Sequence, residues 1–217
     1  MLSKALLRQA FRTNLDRDDH DSTLIKSSAR ALSLRLVEFL KSQTGVWAGF
    51  EPIGFEPDIR SALESSSHIR WAYPRVEHEN TLSFYQVSSR TELVKNSLGI
   101  LEPDPTRAVR VHLDEFHGLL IPGLAFDHYG NRLGRGRGYY DCALSEILRL
   151  NQPLKIGIAL ERQIAEQELP HDPHDIAMDL VITESRNLIR PVAGNLPRPP
   201  AGNQSGPNAA SSKGSLS

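Results

Sequence analysis

A chain of 217 residues, 39% of them apolar and with a net charge of -1, is long enough for one domain with a substantial core. The balanced charge exerts no overall pull toward nucleic acid or an anionic membrane, and no apolar run approaches the length of a membrane span. The single cysteine, Cys142, excludes an intramolecular disulfide and points to a reducing compartment.

The first predicted element is a helix over Leu2–Leu15 with an apolar side of Leu6, Leu7, Ala10 and Phe11. Lys4, Arg8 and Arg12 recur every four residues beside it, a basic stripe whose mutual repulsion an anion would relieve. A solvated helix face is the other reading of the same residues. The segment carries no acid and slightly resembles a mitochondrial presequence. It lacks serine enrichment and runs into Asp16, Asp18 and Asp19, so a cytoplasmic location is the expectation.

Asp21-Ser22-Thr23 signals a helix start, and Ile25, Ala29, Leu32, Leu36, Phe39 and Leu40 keep helical period up to a predicted stop at Gly45. Val46–Phe50 reads as a buried strand. The loop after it carries Glu51 and Glu56-Pro-Asp58 and leads into a short helix over Ile59–Leu63. Glu56 can bind the donor edge of a ligand or act as an acid at a helix N-terminus, and Phe50 can stack on a ligand or fill the core. His68–Val76 and Leu82–Val87 read as further strands, and Leu98–Pro103 as a turn.

The segment from Leu119 to Asp141 organises the chain. Leu119–Ile121 ends a buried strand and Pro122-Gly123 stops it. A loop with Gly130, Gly134, Gly136 and Gly138 and with Arg132, Arg135 and Arg137 follows. Tyr140, Ala143, Leu144 and Ile147 then set a helical period. Strand, glycine-rich loop and helix together bind phosphate. Glycine lets backbone N–H groups approach an oxyanion, the helix N-terminus adds donors, and arginine adds forked ones. No acid interrupts the loop between Asp127 and Asp141. The spacing fits neither the Walker nor the Rossmann fingerprint. A solvated surface loop and an RNA-binding Arg-Gly segment are the rival readings.

Lys155–Leu160 reads as another strand and Met178–Glu184 as the last. Between them, His171, Asp172, His174 and Asp175 invite a zinc reading. Zinc seldom takes all its ligands from one five-residue turn, and no cysteine cluster helps. Strands alternating with helices predict an α/β fold in three layers with a largely parallel sheet. Residues 1–190 are expected to form one domain, and 191–217, poor in large apolar residues, a disordered low-complexity tail.

Pro122–Asp127 followed by Gly130–Asp141 resembles the signature of the 5-formyltetrahydrofolate cyclo-ligases, also called methenyltetrahydrofolate synthetases. Members of that family use ATP and a magnesium ion to close 5-formyltetrahydrofolate into 5,10-methenyltetrahydrofolate. The resemblance covers about residues 4–186 and includes Pro74-Arg75, the Gly99-Ile100-Leu101-Glu102-Pro103 element and Gln163. It implies the fold shared by ribose-5-phosphate isomerase and CoA transferases and small-molecule partners, reduced folate and ATP; the balanced charge leads to no expected nucleic-acid or membrane partner, and a monomer is the expectation although the sequence does not give the oligomeric state. The resemblance implies ATP binding by Lys4, Arg8, Arg132, Leu133, Gly134, Arg135, Gly136, Arg137, Gly138, Tyr139 and Tyr140, with Arg135 and Arg137 catalytic. Folate binding falls to Phe50, Glu51, Glu56 and the shared residues Arg135, Gly136, Arg137, Gly138 and Tyr139, and magnesium to Asp141 and Asp175. Two departures stand out: Glu51 occupies an often apolar position, and His117-Gly118 replace Asp-Leu. A phosphate-ester isomerase or acyltransferase on the same fold, or a non-enzymatic nucleotide or RNA binder, are the alternatives.

Overall fold

The described part of the chain runs α1 (Lys4–Asp18), α2 (Ser22–Leu40), β1 (Val46–Ala48), α3 (Arg60–Ser65), β2 (Arg70–Val76), β3 (Leu82–Gln86), β4 (Leu93–Lys95), β5 (Leu101–Pro103), β6 (Val109–Val111), β7 (Phe116–Pro122), β8 (Ala125–Phe126), β9 (Arg132–Leu133), α4 (Tyr139–Leu150), β10 (Leu154–Ile158), β11 (Leu180–Ile182) and β12 (Asn187–Ile189). The computed structural model describes residues 3–18, 22–77, 81–97, 99–150 and 153–191. The expected tail, from 192 on, lies outside the described residues.

Alternating apolar side chains place the sheet between two layers. Val46, Ala48, Leu119, Ile121 and Val181 pack on one side, where Ala143, Leu144 and Ile147 of α4 cover them. Trp47, Leu120, Ile156, Ile158 and Ile182 pack on the other, under Leu32, Leu36 and Leu40 of α2 and Ala62 and Leu63 of α3. Strands buried on both faces have to be interior, and the sheet order β12-β11-β10-β7-β1-β2-β3-β6 keeps them there. The five strands from β11 to β2 are parallel; β12 at one edge and β3 at the other run against them, and β6 pairs antiparallel with β3. The expected three-layer α/β architecture is present.

Parallel strands bring their carboxyl ends to one edge. The segments after β1, β7 and β10 therefore meet there, at the place where open α/β sheets bind ligands. A smaller apolar cluster of Ala125, Leu133 and Leu169, joined by Leu7 and Phe11, seats α1 on the β8–β9 hairpin beside that edge.

Several expectations need correction. α2 ends at Leu40, short of Gly45; Lys41 N–H still bonds the Val37 carbonyl and Gln43 N–H the Leu40 carbonyl, closing the helix with a turn. β11 is not the last strand, because Asn187–Ile189 returns antiparallel to it. The Leu98–Pro103 turn contains β5, which pairs with β4 in a separate hairpin. These strands have three residues each, too few to show a period.

His117-Gly118 has a local cause. The β1–β7 register shifts between Val46 and Trp47, so His117 is an extra residue in the ladder, and its Nδ1 accepts from Val46 N–H at 3.3 Å. A Cβ on Gly118 would lie 2.4 Å from the Trp47 ring, which fills the space a leucine would need. Gly118→Ala is expected to lower stability in urea unfolding by about 1–3 kcal/mol. Adding Trp47→Leu should make the two losses less than additive. A Gly118→Ala protein as stable as wild type would show that the Trp47 ring is not confined.

Candidate functional site

A cavity of about 970 Å³ opens at the carboxyl edge of the sheet. One end is formed by α1 and the segment 172–175, the middle by the glycine loop and the loop after β1, and a further wall by the β4–β5 hairpin.

The basic stripe of α1 faces this cavity rather than bulk solvent. Lys4 Nζ reaches Asp172 at 2.6 Å and also bonds Asp175. Arg8 Nε donates to the Gly134 carbonyl at 2.9 Å and Arg12 Nη2 to the Arg135 carbonyl at 3.2 Å. Partial burial works against the Lys4 ammonium, but the hydrogen bonds and charges of Asp172 and Asp175 outweigh it and raise its pKa. Arg12 shares the stripe, yet the resemblance assigned it no role.

The glycine loop is folded back by its own arginines. Arg132 is largely buried; it donates to the Pro122 carbonyl, pairs with Asp141 at 2.5 Å and lies over the Tyr140 ring at 5.6 Å. Arg135 Nε sits 3.0 Å from Glu56, and its Nη2 also bonds the Ile53 carbonyl. Arg137 is exposed, with the Tyr139 hydroxyl at 3.3 Å. Gly136 takes a φ of 99°, where a side chain would be strained, and a Cβ there would crowd the Arg8 guanidinium at 3.3 Å. Burial, helped by Glu56 and opposed by Arg132, pushes the Tyr140 hydroxyl pKa up. Leu133 is an exception among the expected residues. Its side chain turns away from the cavity into the cluster beneath Leu7 and Phe11.

Glu56 lies between the two loops. It accepts from Ile53 N–H at 3.0 Å and from Arg135, and its side chain is 8% exposed. Burial raises its pKa; Arg135 opposes this without cancelling it. Phe50 lines the cavity and also belongs to the main core. Glu51 lines the cavity too, but both of its carboxylate oxygens are taken by Arg90, at 2.6 and 2.8 Å. A ligand reaching Glu51 would therefore meet a carboxylate already paired with Arg90.

The hairpin wall was largely missed by the sequence reading. Arg75 Nη1 pairs with buried Glu102 at 2.6 Å and donates to the Pro103 carbonyl at 2.8 Å, and Asn96 also reaches Glu102. The Pro-Arg and Glu-Pro elements are thus two halves of one contact between β2 and β5. Gln163 is fully buried and structural. It accepts from Leu160 N–H at 2.8 Å and donates to the Gly123 carbonyl at 3.0 Å, pinning the turn after β7.

Asp141 and Asp175 both line the cavity, on opposite segments. The compact group of ligand-bearing side chains is Asp172, His174 and Asp175, within 4.8 Å of one another; Asp141 is not part of it. His171 instead sits 3.6 Å from Glu168.

The sequence pattern of the 5-formyltetrahydrofolate cyclo-ligase family matches residues 1–184. The chain is 36% identical over 143 residues to the mitochondrial 5-formyltetrahydrofolate cyclo-ligase of Arabidopsis thaliana, covering 59% of this chain and 52% of that protein. It is 37% identical over 106 residues to the Escherichia coli 5-formyltetrahydrofolate cyclo-ligase, covering 48% and 57%. These alignments span about half the length of the curated relatives. The solved structure of Aquifex aeolicus 5,10-methenyltetrahydrofolate synthetase superposes with a TM-score of 0.68 at 30% identity, covering 87% of this chain and 93% of that one. The Mycoplasma pneumoniae synthetase gives 0.66 at 25% identity, covering 84% and 99%.

Glu56 yields a pH prediction. Its folded pKa lies above its ordinary value near 4.5, so the folded state holds the proton more tightly and the group loses stability as pH rises through that window. Glu56→Gln removes this dependence. Urea unfolding at about pH 5 and pH 7.5 should show the variant gaining on wild type at the higher pH. A stability difference that does not change with pH would mean that Arg135 fully compensates the carboxylate.

Proposed function

Because the chain belongs to the 5-formyltetrahydrofolate cyclo-ligase family, we propose that it uses ATP to close 5-formyltetrahydrofolate into 5,10-methenyltetrahydrofolate, releasing ADP and phosphate. The observation that supports this most is the shared cavity. A cationic glycine loop, a basic helix stripe and a buried carboxylate, Glu56, face one space large enough for two ligands.

In the first step the formyl oxygen attacks the γ-phosphate, ADP leaves, and an iminium phosphate forms on the folate. In the second, N10 of the folate attacks the activated carbon and loses its proton. Phosphate departs and the ring is closed. Phosphoryl transfer asks the protein mainly for positioning and charge neutralisation. Arg137, exposed and held only by a hydroxyl among the described residues, is suited to follow the transferring group. Arg135 links the nucleotide loop to Glu56, the carboxylate proposed to hold the folate. Lys4 and Arg8 hold the nucleotide from α1, and Gly134, Gly136 and Gly138 let the backbone approach its phosphates. Glu56 accepts from the pterin N–H edge, with Phe50 and Tyr139 beside it.

Asp141 and Asp175 offer carboxylate oxygens with partial exposure, 30% and 19%. Such hard donors fit magnesium, which takes one or two carboxylates and completes its shell with phosphate oxygens and water. Magnesium would be held by these residues and would supply positive charge at the phosphates. Asp172 adds a carboxylate close to Asp175. A cytoplasmic setting and a monomeric state complete this reading.

Purified protein should form the methenyl chromophore from 5-formyltetrahydrofolate only with ATP and magnesium together. Product without ATP, or none with both present, would sink the proposal. Arg8→Ala should weaken ATP binding roughly 10- to 100-fold, the loss of one charged hydrogen bond, and leave folate binding nearly unchanged. Asp141→Asn keeps an acceptor for Arg132 but removes the charge. It should raise the magnesium concentration needed for half-maximal rate, and an unchanged requirement would confine Asp141 to its pair with Arg132.

A further inference from the structure

The β4–β5 wall is fastened at both ends by an arginine on a buried carboxylate. At β5 the pair is Arg75–Glu102, 2.6 Å. Ahead of β4 it is Arg90–Glu51, made through two N–H···O contacts of 2.6 and 2.8 Å. Paired contacts of this kind fix both distance and plane. The Glu51 side chain is 7% exposed and that of Arg90 27%, so solvent screens the pair little on the carboxylate side.

Its position gives the pair a consequence for the site. Glu51 leads the loop that carries Glu56, and Arg90 opens the turn that enters β4 at Leu93. The same loop is tied on its other side to the glycine loop through Arg135. One side of the loop thus faces the nucleotide machinery and the other the hairpin wall.

We propose that Glu51–Arg90 is a positioning pair that sets the width of the folate end of the cavity, acting on the substrate through the hairpin wall rather than by contact. The inference rests on the folate and nucleotide reading above. A bare carboxylate buried to this degree would be costly and would repel an acidic substrate. Arg90 cancels that charge and converts the position into an anchor.

The test combines steady-state kinetics with amide hydrogen exchange on Arg90→Met, Arg90→Lys and the charge-swapped E51R/R90E. Arg90→Met should raise KM for 5-formyltetrahydrofolate roughly tenfold, leave KM for ATP and kcat within about twofold, and speed exchange at residues 93–97. Arg90→Lys, which keeps the charge without the planar fork, should shift both readouts the same way and serves if the methionine variant fails to fold. The swap should recover part of the folate KM, which a loss of general stability would not produce. Equal rises in both KM values, or faster exchange with an unchanged folate KM, would overturn the proposal. If the wild-type protein makes no methenyl product, the activity reading falls by itself. The pair is then judged by exchange, and unchanged protection at 93–97 in Arg90→Lys would overturn it.

Discussion

Six of the cations that line the cavity, Lys4, Arg8, Arg12, Arg132, Arg135 and Arg137, gather on α1 and the glycine loop, and their mutual repulsion is the constraint around which this edge of the sheet is arranged. Three are matched by carboxylates: Lys4 by Asp172 and Asp175, Arg132 by Asp141, and Arg135 by Glu56. The other three have weaker company among the described residues. Arg8 and Arg12 hold backbone carbonyls and Arg137 a tyrosine hydroxyl. The ligand-free cavity is therefore left with uncompensated positive charge, concentrated by low-dielectric walls, and a polyphosphate is the kind of ligand that supplies what is missing.

The same arrangement couples the two proposed ligands. Arg135 belongs to the nucleotide loop, yet its guanidinium rests on Glu56 and the Ile53 carbonyl. A folate amide edge arriving at Glu56 competes directly with Arg135. A guanidinium displaced from Glu56 is then available to phosphate. Burial has already made the ionised form of Glu56 costly, so a ligand offering two parallel donors is favoured there over water. Under the proposed function, substrate arrival would thereby be paired with release of a phosphate-binding cation.

Much of the site was legible in the sequence because its signals are local. The period-four basic stripe, the glycine spacing and the acid-free run from His128 to Tyr140 each lie within one segment, and the structure brings them together at the sheet edge as parallel topology requires. What escaped was non-local or short. β4, β5 and β12 have three residues each and earn their pairing only through partners elsewhere. Leu133 alternates inward because β9 seats α1, which cannot be read before α1 is placed. Asp172 looked like part of a histidine-rich turn, and its role as a partner of Lys4 spans 168 residues.

Two residues of this chain make sense only through their spatial partners. At Gly118 the volume a side chain would take is filled from the neighbouring strand, since the Trp47 ring occupies the space a Cβ would enter. The interior stays densely packed there. At Glu51 a buried carboxylate lines the cavity, and Arg90, 39 residues away, takes both of its oxygens. In each case the sequence position alone suggests a defect, and the structure shows a trade between two residues. The trades differ in reach. Trp47 and Gly118 settle volume inside the sheet, between adjacent strands, where nothing but stability depends on it. Glu51 and Arg90 join a ligand-bearing loop to a cavity wall. On the proposed reading a change in that pair would be transmitted to the cavity, since neither residue belongs to a strand of the main sheet.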